Sequence, residues 1–514
     1  MKRGKVMQRI VFGLLFLGFS LLDPLVLHAQ DQIRDLVVKI HATRQSPDVL
    51  RPWTKASPQQ IKGSGVVIDG KRILTNAHVV RYASQIYVQP NQSAIRIPAH
   101  VEAMTPAMDL AVLKLNDESF FDTRGAIPLA DELPRVKDSV NVYGYPTGGT
   151  ELSVTQGIVS RIEFTDYYYQ THGLRIQVDA ALNFGNSGGP AVSDGKLVGL
   201  VFSLIQNAQN IGYLIPVEEI RLFLSDIADG IYNGKPQFLD RLQTVENSAL
   251  REKLRLPAGT NGIMVSEPYG NEPGYPLREW DVITRIGETP IDSDGKVVVR
   301  YDLRLSALYL IQKYAKNGEI EMTVFRDGSF IRANVPVPSR RELVIPYLLD
   351  TSPRYFIFGP LVFAQATQEY IERMNAQRPL PATQINPLFV RRYDKPRFEG
   401  EELVVVSSPM FPDRITKGYD DPERAVISHV NDIRVRNLRH LVEILRDNSQ
   451  AQVIVKFAKV VHRTHETIVF NRTELMESTN KVLEENGIRF PSSADLRPVW
   501  EKSLTIVPKP LAGS

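Results

Sequence analysis

The sequence predicts a mainly β protein: an all-β barrel or sandwich over residues 31–235, followed by two α+β modules at about 240–340 and 355–470. Three observations carry this. Short β-type segments bounded by Gly, Pro, Asn and Asp crowd the first half, and no helix-like stretch interrupts them before Pro216 to Ile227. At 514 residues the chain is too long for one hydrophobic core. An apolar pattern in the second half occurs twice with the same spacing.

The β-rich block is read from Val37–Ile40, Gly65–Ile68, Ile73–Thr75, Leu110–Leu115, Val140–Val142, Gly157–Ser160, Arg175–Val178 and Leu197–Phe202. A polar stretch, Tyr232–Pro236, marks its end. In the repeat, Val282, Ile283, Ile286 and Ile291 correspond to Val426, Ile427, Val430 and Val435. Each set is followed by a helix-like stretch, Leu303–Tyr314 and Leu438–Arg446, and then by a strand-like one, Glu319–Phe325 and Gln452–Phe457. Residues 471–514 read as a polar, Pro-containing C-terminal tail.

Lys2, Arg3, Lys5 and Arg9 precede the apolar run Ile10–Leu22, then Pro24 and the small Ala29, the order of a secretory signal peptide over residues 1–29. The run is shorter than the roughly 20 residues that span a bilayer, so cleavage is expected over an uncleaved anchor, and no integral span after it. Export to the periplasm rests on this segment alone. Hydrophobic residues at 43% and charged residues at 23% exclude a disordered or fibrous chain. A net charge of +3 without a basic run argues against nucleic acid as a partner. The absence of cysteine excludes disulfides and lipidation through a thioether. His462 and His465 lack thiolate or carboxylate companions, and no phosphate-binding loop is present, so neither a metal nor any other cofactor is expected.

The chemistry concentrates in Asn183-Phe184-Gly185-Asn186-Ser187-Gly188-Gly189-Pro190. A nucleophilic serine needs its oxygen exposed on a tight turn with backbone N–H groups aimed at the developing oxyanion, and glycines permit both. A loop joining two strands is the alternative, but Gly-rich loops are common and this full pattern is not, so the octapeptide alone favours the nucleophile. His78 follows the apolar strand-like Ile73-Leu74-Thr75, where an imidazole can take up a serine proton. Asp109 heads the apolar Leu110–Leu115, where an isolated carboxylate is costly unless an imidazole N–H satisfies it. Singly, each reads as an ordinary structural or surface residue. Together they run His, Asp, Ser through one β-rich block, the chain order of chymotrypsin-like barrels.

Residues 37 to about 225 resemble the HtrA, or Deg, serine proteases. The resemblance rests on Gly63-Ser64-Gly65-Val66-Val67-Ile68, the segments around His78 and Asp109, Ser153–Ser160, Asp179–Asn183 and the serine loop. It implies a chymotrypsin-like double β-barrel with His78, Asp109 and Ser187 as triad and the amides of Gly185 and Ser187 as oxyanion hole. It also implies an apolar primary pocket lined by Leu182 and Ile211, hence cleavage after small or aliphatic residues, although core packing alone would explain both side chains. The two modules resemble PDZ domains. In the first, Gly262, Ile263, Met264 and Val265 look like the loop and strand that capture a peptide C-terminus, although Glu279 and Trp280 stand where the family more often has glycine. In the second, Tyr355–Phe363 looks like a linker found in plant and some bacterial Deg proteases, a branch whose second module tends to serve assembly. Tyr167, Tyr168 and Tyr169 fall where relatives carry a regulatory loop; a partner contact and ordinary packing are both open.

The resemblance therefore implies an ATP-independent endopeptidase that degrades misfolded or unfolded polypeptides in envelope quality control, assembled as a trimer or a multiple of it. The alternative is a chaperone-like or scaffold protein that holds unfolded chains through its modules; the intact His78, Asp109 and Ser187 argue against a catalytically dead form.

Overall fold

The structure is a computed structural model, and it describes residues 32–147, 149–204, 211–270, 272–377, 386–459 and 467–502. The expected signal segment and the pair His462 and His465 lie outside the described residues.

Two closed six-stranded barrels form the first half. The first comprises β1 (Val37–Arg44), β2 (Gln59–Ile68), β3 (Arg72–Thr75), β4 (Ala83–Gln89), β5 (Ile97–Thr105) and β6 (Leu110–Leu115), closed in the order β1-β2-β3-β6-β5-β4. The second comprises β7 (Ser139–Gly144), β8 (Ser153–Asp166), β9 (His172–Val178), β10 (Pro190–Ser193), β11 (Lys196–Leu204) and β12 (Gly212–Pro216), closed in the order β10-β11-β12-β9-β8-β7. Closure leaves no open sheet edge, so short apolar strands such as Leu110–Leu115 bury nearly every side chain without inviting aggregation. The helix Val217–Asp226 ends the block. It carries Glu218 and Glu219 in its first turn, where the helix dipole favours carboxylates, and buries Val217, Ile220 and Phe223.

The core of the second barrel continues without a break into the next module through Val265, Ile283, Tyr309 and Val324. That module is a sheet in which Arg241–Thr244, Ile263–Glu267, Val282–Ile286, Glu319–Arg326 and Ser329–Pro336 lie side by side in this order, with the helix Tyr309–Tyr314 packed on it. The helix expected over Leu303–Tyr314 is shorter. Leu303–Ser306 is a strand paired with Lys296–Arg300, because Leu303 and Leu305 bury on alternate residues, a period of two.

A second correction concerns peptide capture. Ile263–Glu267 is an interior strand: Thr244 pairs with Ile263 on one side and Ile283 pairs with Ile263 on the other. Both rows of its hydrogen-bonding groups are occupied, so no peptide can add a strand at Ile263, Met264 or Val265, and Gly262 only leads into this strand. Met264 and Val265 point into cores. The open edge belongs to Arg241–Thr244. Beneath it lies an apolar cavity of about 110 Å³ lined by Leu242, Ile263, Ile283, Ile291, Leu308 and Met322, among others.

The last module holds two sheets, Tyr355–Phe358, Leu361–Gln365 and Val404–Val406 in one, and Ile433–Arg434, Ile427–Val430, Gln452–Phe457 and Ile468–Asn471 in the other. The repeat in the sequence has a structural counterpart. Ile291 N–H donates to Thr284 O and Val435 N–H to Ser428 O, both at 2.9 Å, at matching points of the two patterns. Tyr355–Phe363 is no exposed linker but a hairpin whose Phe356 and Ile357 are fully buried. Nor does the chain trail off as a tail at 471. Asn471 caps a helix, Arg472–Glu485, by accepting from the N–H groups of Thr473 and Glu474, and that helix buries Leu475 and Val482.

Candidate active site

His78 stands on a one-turn helix, Ala77–Val80, directly after β3. A single turn cannot hold itself, so its setting comes from its surroundings. Asp109 supplies most of that setting from the head of β6. Its carboxylate accepts from His78 Nδ1 at 2.6 Å through Oδ2 and from the His78 backbone N–H at 2.8 Å through Oδ1. Its carbonyl accepts from the side chain of Asn76 at 2.9 Å and from Ala77 N–H at 3.2 Å. Asp109 is buried at 2% exposure and adopts φ +54°, a left-handed conformation that Asp tolerates better than most residues. The imidazole remains 45% exposed, open to a substrate.

The serine loop packs against the residues that lead into the same helix. Gly188, at φ +83°, lies so close to the first barrel that a Cβ there would come within 2.2 Å of Ser64 O, 2.4 Å of Thr75 Oγ1 and 3.2 Å of Asn76 N. Only glycine fits both the dihedral and the space. Ser64 N–H donates to Ser187 O at 2.9 Å, and Ser64 Oγ donates to Gly185 O at 2.8 Å while accepting from Tyr145 N–H. From the second barrel, Gly188 N–H donates to Val201 O at 3.0 Å. Among the described residues no backbone carbonyl accepts from the N–H of Gly185 or of Ser187, the two donors a developing oxyanion would need. No hydrogen bond joins Ser187 Oγ to His78 among the described residues; contacts of this kind are commonly long in free enzymes and tighten with substrate.

The family described as trypsin-like peptidase domain matches residues 63–200, a stretch that contains His78, Asp109 and Ser187, and the PDZ domain family matches residues 344–495. Protease Do-like 4, mitochondrial, of Arabidopsis thaliana is 34% identical over 473 residues, covering 90% of this chain and 86% of that protein. Protease Do-like 2, chloroplastic, of the same plant is 34% identical over 485 residues, covering 92% and 77%. The chain belongs to the HtrA, or Do-like, family of serine proteases. It is a serine endopeptidase. The solved structure of an HtrA-type protease, AlgW with tripeptide, is 25% identical, with a TM-score of 0.48 over 61% of this chain and 97% of that one.

In this HtrA protease Leu182 lies against Gly212 at the start of β12, the residue after Ile211. A Cβ on Gly212 would come within 2.2 Å of Leu182 Cδ1, and the side chains of Leu182 and Ile211 are half-buried. The three tyrosines divide. Tyr167 is buried, donates its hydroxyl to Leu174 O and stacks on Phe202; Tyr168 meets Phe202 edge-on and stays half-exposed; Tyr169 meets Tyr347 of the C-terminal module. Burial pushes all three phenols above their ordinary range.

Sequence reasoning assigned no role to Ser64, Thr75 or Asp179. Ser64 ties the serine loop to the first barrel, and Thr75 donates to Ser64 O at 2.7 Å. Asp179 Oδ1 accepts from Ile158 N–H at 2.6 Å, tying the end of β9 to β8. Ser64 stood in a Gly-Ser-Gly run, a pattern that marks close backbone approach but not what approaches. Among the described residues no group of three or more His, Asp or Glu is placed to hold a metal, and no helix is long and apolar enough to cross a membrane.

Proposed function

We propose that this HtrA protease hydrolyses unfolded polypeptides without ATP, with Ser187 as nucleophile, His78 as general base and then acid, and Asp109 orienting the imidazole. The observation that carries this is the two-point grip of the Asp109 carboxylate on His78, with the Ser187 loop seated against Thr75 and Asn76, which lead into the helix of His78. The grip leaves Nδ1 protonated, so Nε2 is free to accept a proton. As Ser187 Oγ bonds to the scissile carbonyl carbon, His78 Nε2 takes the hydroxyl proton and the oxyanion is held by the N–H groups of Gly185 and Ser187. Collapse breaks the C–N bond, and the departing amine takes that proton from His78. Water then attacks the acyl-enzyme with His78 again as base, releasing the new carboxyl terminus.

The apolar pair Leu182 and Ile211 supports cleavage after small or aliphatic residues, since neither can neutralise a basic side chain. A peptide-library profile dominated by Arg or Lys at the first subsite would sink that specificity. Both modules are read as PDZ-like, and strand addition for C-terminal peptides is assigned to the open edge Arg241–Thr244 above its apolar cavity. The order of charge and apolar run over residues 2–29 supports export and quality control in the periplasm, and the family supports a trimer or a multiple of it.

The deciding experiment is casein degradation by the purified chain beside Ser187→Ala, with and without hydrophobic C-terminal peptides. Cleavage lost only in the variant supports the assignment, and stimulation by peptide gives the first module a regulatory role. Cleavage that persists in Ser187→Ala refutes it.

A further inference from the structure

Three residues beyond His78, Arg81 closes the one-turn helix, its N–H donating to Ala77 O at 2.7 Å. Its side chain is only 19% exposed, and among the described residues no hydrogen bond or ion pair joins it to His78, Asp109 or Ser187. Instead the guanidinium reaches across to the chain's C-terminal half. It donates to the hydroxyl of Tyr169, donates to Tyr82 Oη at 3.0 Å, and lies 3.7 Å from the Glu369 carboxylate. It also sits over the Tyr82 ring at 4.7 Å and near the Tyr169 ring at 5.5 Å.

Each of these partners is fixed by the C-terminal module. Glu369, on the helix Gln368–Gln377, accepts the Leu348 N–H through both oxygens at 3.1 and 2.9 Å. Tyr82 donates to Leu349 O at 3.0 Å. Tyr169 meets Tyr347 edge-on with ring centroids 5.0 Å apart. On the far side, Tyr167 and Tyr168 lie against Phe202, and the adjacent Val201 exchanges backbone hydrogen bonds with the serine loop, accepting from Gly188 and donating to Gly189. One guanidinium thus connects the module to the helix of His78 and, through the aromatic loop, to β11, whose Val201 is hydrogen-bonded to the Ser187 loop.

We propose that Arg81 is a positioning residue through which the C-terminal module, residues 344–495, holds His78 and the serine loop in the reactive arrangement. This rests on the assignment of His78 and Ser187 given above. A helix of one turn has no rigidity of its own, so a largely buried cation at its C-cap sets the direction of the imidazole three positions earlier. The module is then part of the catalytic unit and not a tethered reader of substrates.

The test uses the full chain and two readouts: the rate of Ser187 labelling by a fluorophosphonate probe, and kcat and KM on a fluorogenic peptide. Glu369→Gln and Tyr347→Ala lie on the module and leave every residue of the expected triad in place. Each is expected to lower the labelling rate and kcat about tenfold, or about 1.4 kcal/mol, with KM within about twofold and an unchanged melting curve. Arg81→Ala is expected to match them, Arg81→Lys to recover part of the loss, and Arg81→Ala with Glu369→Gln to lose no more than either alone. Labelling and kcat within about twofold of the parent for both Glu369→Gln and Tyr347→Ala, with Ser187→Ala unlabelled, would overturn the inference and leave the triad assignment standing. Labelling that survives in Ser187→Ala removes the triad assignment instead. If Arg81→Ala fails to fold, the two module variants decide the matter.

Discussion

Replacing Asp109 with Asn separates orientation from charge at this site. The carboxylate serves two donors with two oxygens, His78 Nδ1 at 2.6 Å and the His78 backbone N–H at 2.8 Å. An amide has one oxygen. If that oxygen faces the ring, the amide NH₂ is turned against the backbone N–H and leaves a donor without an acceptor in a buried pocket, at a cost of about 1 to 3 kcal/mol. If it faces the backbone, the NH₂ donates to Nδ1, and the imidazole proton moves to Nε2. The second arrangement satisfies every group and wins. Its consequence is the wrong tautomer: Nε2 carries a proton and cannot accept one from Ser187. The same exchange in a chymotrypsin-fold enzyme lowers kcat by about 10⁴, or about 5 kcal/mol, and that loss is expected here. The backbone should not mask the effect, because Asn is at ease at the φ of +54° that Asp109 adopts and the Asn76 and Ala77 bonds go to the unchanged carbonyl. The assay is casein and peptide cleavage by Asp109→Asn beside Ser187→Ala, with thermal melting as control. A folded Asp109→Asn within about tenfold of the parent kcat would refute the tautomer argument and with it the role given to Asp109.

Gly188→Ala places a methyl group within 2.2 Å of Ser64 O at φ +83°, so the loop must shift; a loss of at least about 100-fold in Ser187 labelling is expected, together with a lowered melting temperature. Lys235 and Glu219, at 7% and 1% side-chain exposure, pair at 2.9 Å between the linker and the helix after β12, and Gln312 of the first module joins both. Lys235→Met leaves the Glu219 carboxylate buried without its cation and should cost about 3 to 5 kcal/mol in urea unfolding, whereas adding Glu219→Gln should recover much of it. In the last module, burial acts to raise the Glu401 carboxyl, but the Arg391 guanidinium and the Arg397 N–H outweigh it and hold the group below its ordinary 4.5. A lowered carboxyl stabilises the fold above that ordinary value and loses its contribution as pH falls through the folded-state value. Unfolding of this module, followed by Trp500 fluorescence, should therefore ease as pH drops below about 4.5, and Arg391→Met should flatten that dependence.

The site was more legible than the fold around it because its chemistry demands particular residue types in a particular chain order. His78, Asp109 and Ser187 each have a bland reading singly, and the β-strands that lead into them locate them on a barrel rim. Strands with unbroken apolar runs, such as Leu110–Leu115, were equally plain. Peptide capture was misplaced because Ile263–Glu267 and Arg241–Thr244 are alike at the level of pattern. Being interior or at an edge is a property of the sheet, which pairs Thr244 with Ile263 and, among the described residues, with no strand beyond it. Leu303–Ser306 was lost in a helix because its two buried leucines fall on a run that continues into real helical spacing from Tyr309. The helix Arg472–Glu485 escaped notice because it buries little beyond Leu475, Ser478 and Val482, too sparse a stripe to stand out.

What sequence reasoning could not reach is how the parts lean on one another. Arg81 and Glu369 are ordinary charged residues in their own segments, and Lys235 sits in a stretch that reads as a boundary. The structure buries each against a different part of the chain. A flexible tether would not bury an ion pair such as Lys235 with Glu219, because charges leave water at a cost that only fixed geometry offsets. The continuous core between the second barrel and the first module points the same way, through Val217 on one side and Tyr309 on the other. The junction of the protease domain with the first module is therefore built as an interior, and its junction with the last module, at Arg81, lies three residues from His78. Modules that merely delivered substrate would need none of this; the proposed positioning of His78 by the last module requires it.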